Sequence, residues 1–272
     1  MVHAHPDELR REFESAHGHW SEELDALLAA DPRYFAAYDR LLRVTAHRGA
    51  LTARERELIA VAVNAQVTYL HPAATQLHIA QALRAGASEA EVMETLQLAA
   101  SLGTHSMLVG VPLAHEVFAR LGVAEQVADE PAQTRHRALK ERFIRERRYW
   151  SPGWDTVLAY TPEYFEAYLD VSSIPWNHGE LPDWFRELVY VAIDVATTHL
   201  FTAGISVHTE KALQYGASPA QVIDVMTIAS SIGIDTTLMG ARALVRASRV
   251  RGERTGTGQE DTPPAEEKEA TT

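Results

Sequence analysis

Residues 56–110 read RELIAVAVNAQVTYLHPAATQLHIAQALRAGASEAEVMETLQLAASLGTHSMLVG, and the same pattern recurs once in the chain. The second copy, residues 186–240, lies 130 positions later and aligns without a gap. Between residues 9–114 and 139–244, 35 of the 106 aligned pairs are identical, whereas average residue frequencies would give about 6 to 7 by chance. The chain therefore contains a duplicated unit, and two copies are too few for a solenoid.

Each copy predicts helices separated by short breaks. Thr52 and Glu55 form a capping-box pattern ahead of an apolar-faced helix. A proline directly after His71 then interrupts the backbone, because proline cannot continue a helix interior. Gly86 suits the end of the next helix, and Ser88 suits the start of another. No stretch shows the period-2 alternation of strands, so we predict an all-α fold in which two similar helical modules pack together.

The repeat also sets the expected domain boundaries. Residues 1–8 are predicted to form a flexible leader, residues 9–120 and 139–250 the two repeats, and residues 121–138 a linker with some helix. Residues 251–272 are rich in Gly, Thr, Glu and Pro and contain no aromatic or β-branched apolar residue. Such a segment buries too little apolar surface to offset the entropy of ordering it, so we expect it to be disordered.

Composition argues against several partners and chemistries. The chain has 272 residues, a net charge of −12 and no cysteine. An acidic surface disfavours nucleic-acid backbones and anionic membranes, and no uninterrupted apolar run approaches the roughly 18 to 20 residues that span a bilayer. The polar N-terminus has no secretory signal, so the expected compartment is the cytoplasm. Without cysteine, disulfides, thiolate metal sites and thiol redox chemistry are excluded.

Two histidines are the leading catalytic candidates, because imidazole can hold or donate a proton near neutral pH. His78 and His208 occupy the same position of the two copies, as do Glu57 and Glu187. We call Glu57 and His78 the first half-site, and Glu187 and His208 the second. If the two glutamates face the core, burial would suit them to a proton relay. If they are exposed, they would only stabilise the first turn of their helix through its dipole. Buried histidines can also simply tie helices together, so both interpretations stay open.

The two copies differ around these positions, which suggests that the half-sites no longer do the same job. Either one is catalytic and the other structural, or both build one composite pocket. Asn64 and Asp194 lie seven residues after the glutamates and on the same helix face, so they are candidate substrate-binding residues. Further substrate-binding candidates at diverged positions are Tyr69, His71, His105 and Asp235. His199 replaces Tyr69 in the second copy and is a further catalytic candidate.

A metal site is the rival explanation for these histidines. His71 and His78 would lie roughly 10 Å apart along one continuous helix, too far to share an ion through bonds of about 2 Å. His199 and His208 would face opposite sides of a continuous helix, and only a break near Gly204 could bring them together. No Gly-rich phosphate-binding loop is present. The sequence therefore predicts neither a metal nor a cofactor.

The order of a glutamate, a backbone break, and a histidine followed eight residues later by Gly-Ala-Ser resembles the carboxymuconolactone decarboxylase family. The superfamily also contains the alkyl hydroperoxidase D proteins. The matching residues are 56–58, 78–88 and 92–103, together with their second copies. The hydroperoxidase branch carries Cys-x-x-Cys-x-x-x-His. In this chain the two cysteine positions are occupied by His71 and Ala74 in the first copy, and by Phe201 and Gly204 in the second. The resemblance therefore implies a cysteine-free, decarboxylase-like member and no dithiol peroxidase activity.

The resemblance implies a cofactor-independent enzyme that acts on a small carboxylated lactone or unsaturated acid by general acid–base chemistry. The alternatives are a hydrolase, isomerase or lyase for another small carbonyl compound, and a non-catalytic helical module for ligand binding or assembly. Members commonly form rings of single-repeat subunits, so a fused chain implies a homotrimer or a dimer. The Thr-His-Leu sequence around His199 resembles cysteine-free members and slightly favours the second half-site.

Overall fold

The computed structural model describes residues 5–124 and 130–256, and all of its regular elements are helices. The first copy contains α1 (Pro6–His17), α2 (Glu22–Ala30), α3 (Pro32–Leu42), α4 (Val44–Arg48), α5 (Ala53–Ala65), α6 (Pro72–Arg84), α7 (Glu89–Ala100), a 3₁₀ turn (Ser101–Thr104) and α8 (His105–Leu121). The second contains α9 (Glu130–Arg147), α10 (Gly153–Tyr160), α11 (Pro162–His178), α12 (Asp183–Val195), α13 (Thr202–Gln214), α14 (Pro219–Ser230), a 3₁₀ turn (Ser231–Ile234) and α15 (Asp235–Gly256). Helices α5, α6 and α7 recur as α12, α13 and α14 at the 130-residue offset, which confirms the duplicated all-α fold.

The predicted caps begin these helices. The Thr52 hydroxyl accepts the backbone N–H of Glu55 at 3.2 Å, and the Glu55 side chain accepts the N–H of Thr52 at 2.7 Å. Ser88 and Ser218 form equivalent boxes at α7 and α14. Gly86 has a φ of +93°, the left-handed conformation that ends a helix at little cost in glycine. The capping residues in the sequence therefore predicted the starts of these helices correctly.

The chain reverses sharply between α12 and α13, and this turn positions the second half-site. Leu200 adopts a φ of +50°, a conformation that is uncommon for a residue with a side chain. The backbone N–H of Phe201 then donates to the carbonyl of Asp194 at 2.9 Å. Leu70 makes the same turn in the first copy, with a φ of +45°. Each turn brings the helix that carries the histidine back alongside the helix that carries the glutamate.

Helices of both repeats share one hydrophobic core, which includes the fully buried Leu58, Ile59, Leu188 and Val189. Because these faces bury one another, residues 44–232 form one compact unit. The described parts of residues 1–43 and 233–272 form another, with its own cluster around Phe13 and Phe35. The compact units therefore differ from the repeat boundaries, residues 9–120 and 139–250, that the sequence defines.

Helix ends also differ from the expected leader and tail. α1 begins at Pro6, inside the leader predicted for residues 1–8, because proline suits a first helical position and His5 caps it. α9 begins at Glu130, inside the predicted linker. α15 continues to Gly256, so the tail predicted from residue 251 is helical at its start. Residues 257–272 lie outside the described part of the chain.

One helical run, Pro219–Arg249, is long and apolar enough to cross a membrane by length and composition alone, with a mean hydropathy of 1.4 over an 18-residue window. The sequence did not predict this run as a membrane span, because polar residues interrupt its apolar segments. Core helices of soluble proteins meet the same criterion, and Val222 and Val225 of this run pack in the hydrophobic core. A single such helix is therefore weak evidence for a membrane protein.

A buried carboxylate ties the two repeats together within residues 44–232. Glu94 of α7 is 3% exposed and accepts the backbone N–H groups of Glu180 and Leu181 at 2.6 and 2.9 Å. It also accepts the Arg186 Nε–H at 2.6 Å. A Cβ atom on Gly179 would lie 2.2 Å from the Glu94 carboxyl group, so glycine is needed at this approach. The start of α12 is thereby anchored to α7 of the other repeat.

Candidate functional site

Each repeat pairs its candidate histidine with its candidate glutamate. His78 Nδ1 lies 2.8 Å from Glu57 Oε2, and His208 Nδ1 lies 2.6 Å from Glu187 Oε2. A carboxylate that accepts from Nδ1–H fixes the orientation and tautomer of the ring. Nε2 is then the nitrogen that can exchange a proton with a bound molecule.

The two pairs differ in burial. The side chains of Glu57 and His78 are 29% and 27% exposed, whereas those of Glu187 and His208 are 1% and 10% exposed. The ring of Tyr190 packs over His208, with the ring centroids 4.6 Å apart. Electrostatic interactions are stronger where water is excluded, so the second half-site has the better environment for proton transfer.

A small pocket opens onto the second half-site, with about 290 Å³ of space that includes its solvent-open mouth. The first repeat contributes Thr104 and His105 to its lining, and the second contributes Arg147, Tyr149, Asp194 and His208. Both repeats therefore build this pocket, as in the composite alternative that the sequence left open.

Asp194 is the buried acid of this pocket. Its side chain is 1% exposed, and neither carboxyl oxygen has a hydrogen-bond partner in the described part of the chain. Burial raises the pKa of the Asp194 carboxyl to about 7, while nearby His208 lowers it and Glu187 raises it further. Asp194 is therefore an acid whose surroundings call for a proton or a cation.

Gly204 provides the space that Asp194 occupies. A Cβ atom at residue 204 would lie 2.0 Å from Asp194 Oδ2, closer than two such atoms can approach. The first copy has Ala74 and Asn64 at these two positions. The glycine and the aspartate therefore occur together in one repeat, and the alanine and the asparagine in the other.

Two histidines from different repeats meet beside Asp194. His105 Nδ1 lies 2.7 Å from His199 Nε2 and 3.8 Å from Asp194 Oδ1. Burial, the neighbouring His199 and His208 together lower the pKa of His105 to about 3, and burial lowers the pKa of His199. Both rings are therefore neutral near pH 7. His105, Asp194 and His199 each offer one potential metal-ligand atom, and these atoms lie within 4.8 Å of one another.

Arg147 places a buried positive charge in the same pocket. It is 2% exposed, and its two terminal nitrogens donate to the Ser172 carbonyl at 3.2 Å and to the Tyr190 hydroxyl at 3.0 Å. Its Nε–H has no partner, and no carboxylate among residues 5–124 and 130–256 forms an ion pair with it. The rings of Tyr149 and Trp176 lie 6.0 and 5.5 Å from the guanidinium carbon. Burial alone would lower the pKa of Arg147, but nearby Tyr190, Tyr149, Tyr168 and Glu187 raise it, so the guanidinium stays charged. The unpaired Nε–H is the part of this cation that a bound anion would satisfy.

The duplicated chain matches a known family once in each repeat. The model of the carboxymuconolactone decarboxylase family matches residues 32–116 and 162–247. The chain belongs to this family. A crystal structure of a proposed γ-carboxymuconolactone decarboxylase subunit from Burkholderia xenovorans LB400 is also similar, with 36% sequence identity and a TM-score of 0.86. The alignment covers 92% of this chain and 99% of that one. A search of curated proteins found no match.

In this decarboxylase-family member, the predicted site residues fall into separate places. His105, Asp194 and His208 line the pocket. Glu187 and His199 do not line it, but they lie within hydrogen-bond distance of His208 and His105. The Glu57–His78 pair is formed, but it is not part of this pocket's lining.

Four predicted substrate-binding residues do not line the pocket. Asn64 is buried and its amide donates to a carbonyl of its own helix at 2.9 Å, which satisfies it locally. Tyr69 packs against the hydrophobic core. His71 caps α6 by accepting a backbone N–H of its first turn at 3.1 Å. Asp235 begins α15, which belongs to the other compact unit.

Sequence reasoning missed Arg147, Tyr149 and Tyr190. Arg147 and Tyr149 align with His17 and His19 of the first copy, so they do not stand out as repeated residues. The signal that could have found them is divergence between the copies, which also pointed to His105. Residues retained in both copies mark what the half-sites share, whereas Arg147, Tyr149 and Tyr190 differ between the copies and line the pocket at the second half-site.

Proposed function

We propose that this protein is an enzyme that decarboxylates a small carboxylated lactone or a related unsaturated acid. The observation that carries the proposal is the buried Glu187–His208 pair beside a pocket that also holds Arg147 without an acid partner. A proton-transfer couple and an anion-binding cation are what such a reaction requires. Membership of the carboxymuconolactone decarboxylase family supports the same chemistry.

Arg147 would bind a carboxylate that the substrate keeps. Its planar guanidinium matches the geometry of a carboxylate, and its Nε–H is unused by the protein. An ion pair with the departing carboxylate would stabilise the ground state and slow the loss of carbon dioxide. We therefore place the retained acid group at Arg147, which implies a substrate with at least two carboxylates.

The reaction breaks the carbon–carbon bond to the departing carboxylate. Carbon dioxide leaves, and the electron pair of that bond moves through the unsaturated system onto the lactone carbonyl, giving a dienolate. Protonated His208 then donates the proton on Nε2 to the substrate carbon and regains a proton from solvent. Glu187 keeps the ring oriented through Nδ1 and stabilises its charged form.

The direct test is incubation of the purified chain with γ-carboxymuconolactone, the compound in the name of the similar crystal structure. Release of carbon dioxide together with a decarboxylated lactone, followed by gas analysis and NMR, is expected. Conversion without carbon dioxide would support the hydrolase, isomerase or lyase alternative. Binding without any conversion, across a panel of lactones and enoates, would support a non-catalytic module.

Replacing Arg147 with methionine is expected to weaken binding of a dicarboxylated lactone by about 10- to 100-fold, because charge-assisted hydrogen bonds are lost. A saturated analogue that cannot form the dienolate allows titration calorimetry without turnover. The methyl ester of the retained carboxylate is expected to bind wild type and Arg147→Met equally.

The matched control for that experiment is Arg145→Met, an exposed arginine on the same helix whose loss should not change affinity. Because Arg147 is buried, circular dichroism must first show that the variant keeps its fold. Arg147→Lys keeps the charge but not the planar donors, and its affinity should be intermediate. Equal affinity of wild type and Arg147→Met for the diacid would reject the assigned role.

We further propose that the chain forms a homotrimer or a dimer. α8 has no buried residue, and its apolar Val109, Leu113 and Leu121 are exposed. In α15, Met239 at the position of Val109 is exposed as well. Exposed apolar surface of this kind marks association, and a second copy presents the same surface for a symmetric contact. Mass photometry is expected to show two or three chains per particle, and a monomer would contradict the proposal.

A further inference from the structure

The cluster of His105, His199 and Asp194 lies where the two repeats meet, and neither repeat contains it alone. His105 belongs to the first turn of α8, Asp194 to the last turn of α12, and His199 to the break between α12 and α13. No metal site was predicted from the sequence, because only histidine pairs within one repeat were considered as shared ligands. Residues 105 and 199 are 94 positions apart, and folding brings their ring nitrogens to 2.7 Å.

The unsatisfied carboxyl group of Asp194 is an independent sign of a ligand at this cluster. Both of its oxygens are buried without a hydrogen-bond partner in the described part of the chain, and Oδ1 is the oxygen 3.8 Å from His105 Nδ1. Buried polar atoms are nearly always paired, so this carboxyl group needs a proton, an ion or a water molecule to complete it, and His208 Nε2 lies 4.0 Å from Oδ2. Gly204 keeps this acid in place by leaving room for it.

We propose that His105, His199 and Asp194 bind one divalent transition-metal ion. Two imidazoles and one carboxylate are a ligand set typical of iron, manganese and zinc, and imidazole argues against magnesium or calcium. Three protein ligands leave further coordination positions for water or substrate.

To hold an ion, the two ring nitrogens must move apart and the Asp194 oxygen must move closer, because the three atoms lie within 4.8 Å of one another and Oδ1 is 3.8 Å from His105 Nδ1. Two nitrogens bound at about 2.1 Å to one metal are about 3.0 to 3.4 Å apart, compared with 2.7 Å between the two ring nitrogens here. The ring planes are nearly parallel, with an interplanar angle of 5° and centroids 5.0 Å apart, so the two nitrogens face each other. The rings must separate and also tilt for both lone pairs to point at a common ion. His105 and Asp194 line the pocket that holds His208 and Arg147, so an open coordination position would be close to the substrate.

This inference does not depend on the decarboxylase proposal, since metal binding is measurable without a substrate. If both hold, the ion would act as a Lewis acid toward a substrate oxygen, while Arg147 binds the carboxylate and His208 moves the proton. The alternative occupant is a buried water that bridges Asp194 and the two rings, and such a site would show no metal affinity.

The test uses the full chain without a histidine tag, stripped with a chelator and titrated with Zn²⁺, Mn²⁺ and Co²⁺ by calorimetry. One ion per chain is expected for at least one metal, with a Co²⁺ ligand-field absorption spectrum and a rise in melting temperature that chelation reverses. His199→Gln and Asp194→Asn should each weaken binding by at least about 100-fold, more than the loss of a supporting group causes.

His47→Gln is the matched control, because it removes an exposed histidine of α4 outside the cluster. Its metal affinity should equal that of wild type. Circular dichroism of the stripped variants, compared with stripped wild type, separates loss of a ligand from loss of the fold. No stoichiometric binding by wild type, or unchanged affinity in both His199→Gln and Asp194→Asn, would overturn the proposal. Carbon dioxide release that persists after chelation would leave the decarboxylase proposal standing and show that the ion is not needed for turnover.

Discussion

Replacing Glu94 with alanine is expected to lower the free energy of unfolding by about 3–5 kcal/mol, the usual cost of breaking a buried ion pair from one side. Arg186, whose side chain is only 7% exposed, would keep its charge without the carboxylate that it contacts at 2.6 Å. The backbone N–H groups of Glu180 and Leu181 would also lose their acceptor. Urea denaturation followed by tryptophan fluorescence measures the difference.

Two further variants show whether burial of the charge is the cause. Glu89→Ala removes an exposed acid from the first turn of the same helix and should cost less than about 1 kcal/mol. Replacing Glu94 and Arg186 together with methionine and leucine should recover part of the loss, because both buried charges are removed and Asp183, the other partner of Arg186, keeps its ion pair with Arg148. A Glu94→Ala loss as small as that of Glu89→Ala would show that the pair does not anchor the two repeats.

The second large expected effect is on turnover, and it differs between the buried second half-site and the more exposed first half-site. His208→Gln is expected to reduce kcat for carbon dioxide release from γ-carboxymuconolactone by about 10²- to 10⁴-fold, the range of a general acid–base group. Glutamine keeps a donor toward Glu187 but cannot exchange a proton. His78→Gln makes the same change at the equivalent position of the other repeat, away from the pocket lining, and should change kcat by less than about threefold.

The outcome assigns the chemistry to one repeat, both, or neither. Loss of activity in His78→Gln with retention in His208→Gln would transfer the reaction to the first half-site. Comparable loss in both variants would indicate that the half-sites cooperate. Retention in both would remove histidine from the mechanism. Kinetic constants must be measured at saturating substrate, so that a defect in binding is not mistaken for a defect in proton transfer.

Much of the fold was predictable because its signals are local. Thr52, Ser88 and Gly86 set helix ends through bonds to residues three or four positions away, and such patterns are visible in any sequence. The pairing of each histidine with its glutamate was suggested by their retention in both copies. The duplication supplied the comparison that a single sequence otherwise lacks.

The pocket could not be predicted in the same way because its members come from distant segments. His105 meets His199 only after folding brings the start of α8 to the break between α12 and α13, and Arg147 reaches Tyr190 across 43 positions. Such contacts depend on tertiary packing and not on spacing along one helix. The sequence shows that Asn64 and Ala74 of the first copy are replaced by Asp194 and Gly204 in the second. Only the structure explains why the two changes occur together, because a Cβ atom at residue 204 would lie 2.0 Å from Asp194 Oδ2.

Gly204 stands where the related hydroperoxidases carry the second cysteine of their redox pair. In this chain the carboxyl group of Asp194 would collide with the Cβ atom of any side chain at residue 204. A thiol and this acid therefore cannot coexist in the second half-site. Dithiol chemistry in this half-site would require cysteine at both residues 201 and 204 and a smaller residue in place of Asp194, three substitutions in all.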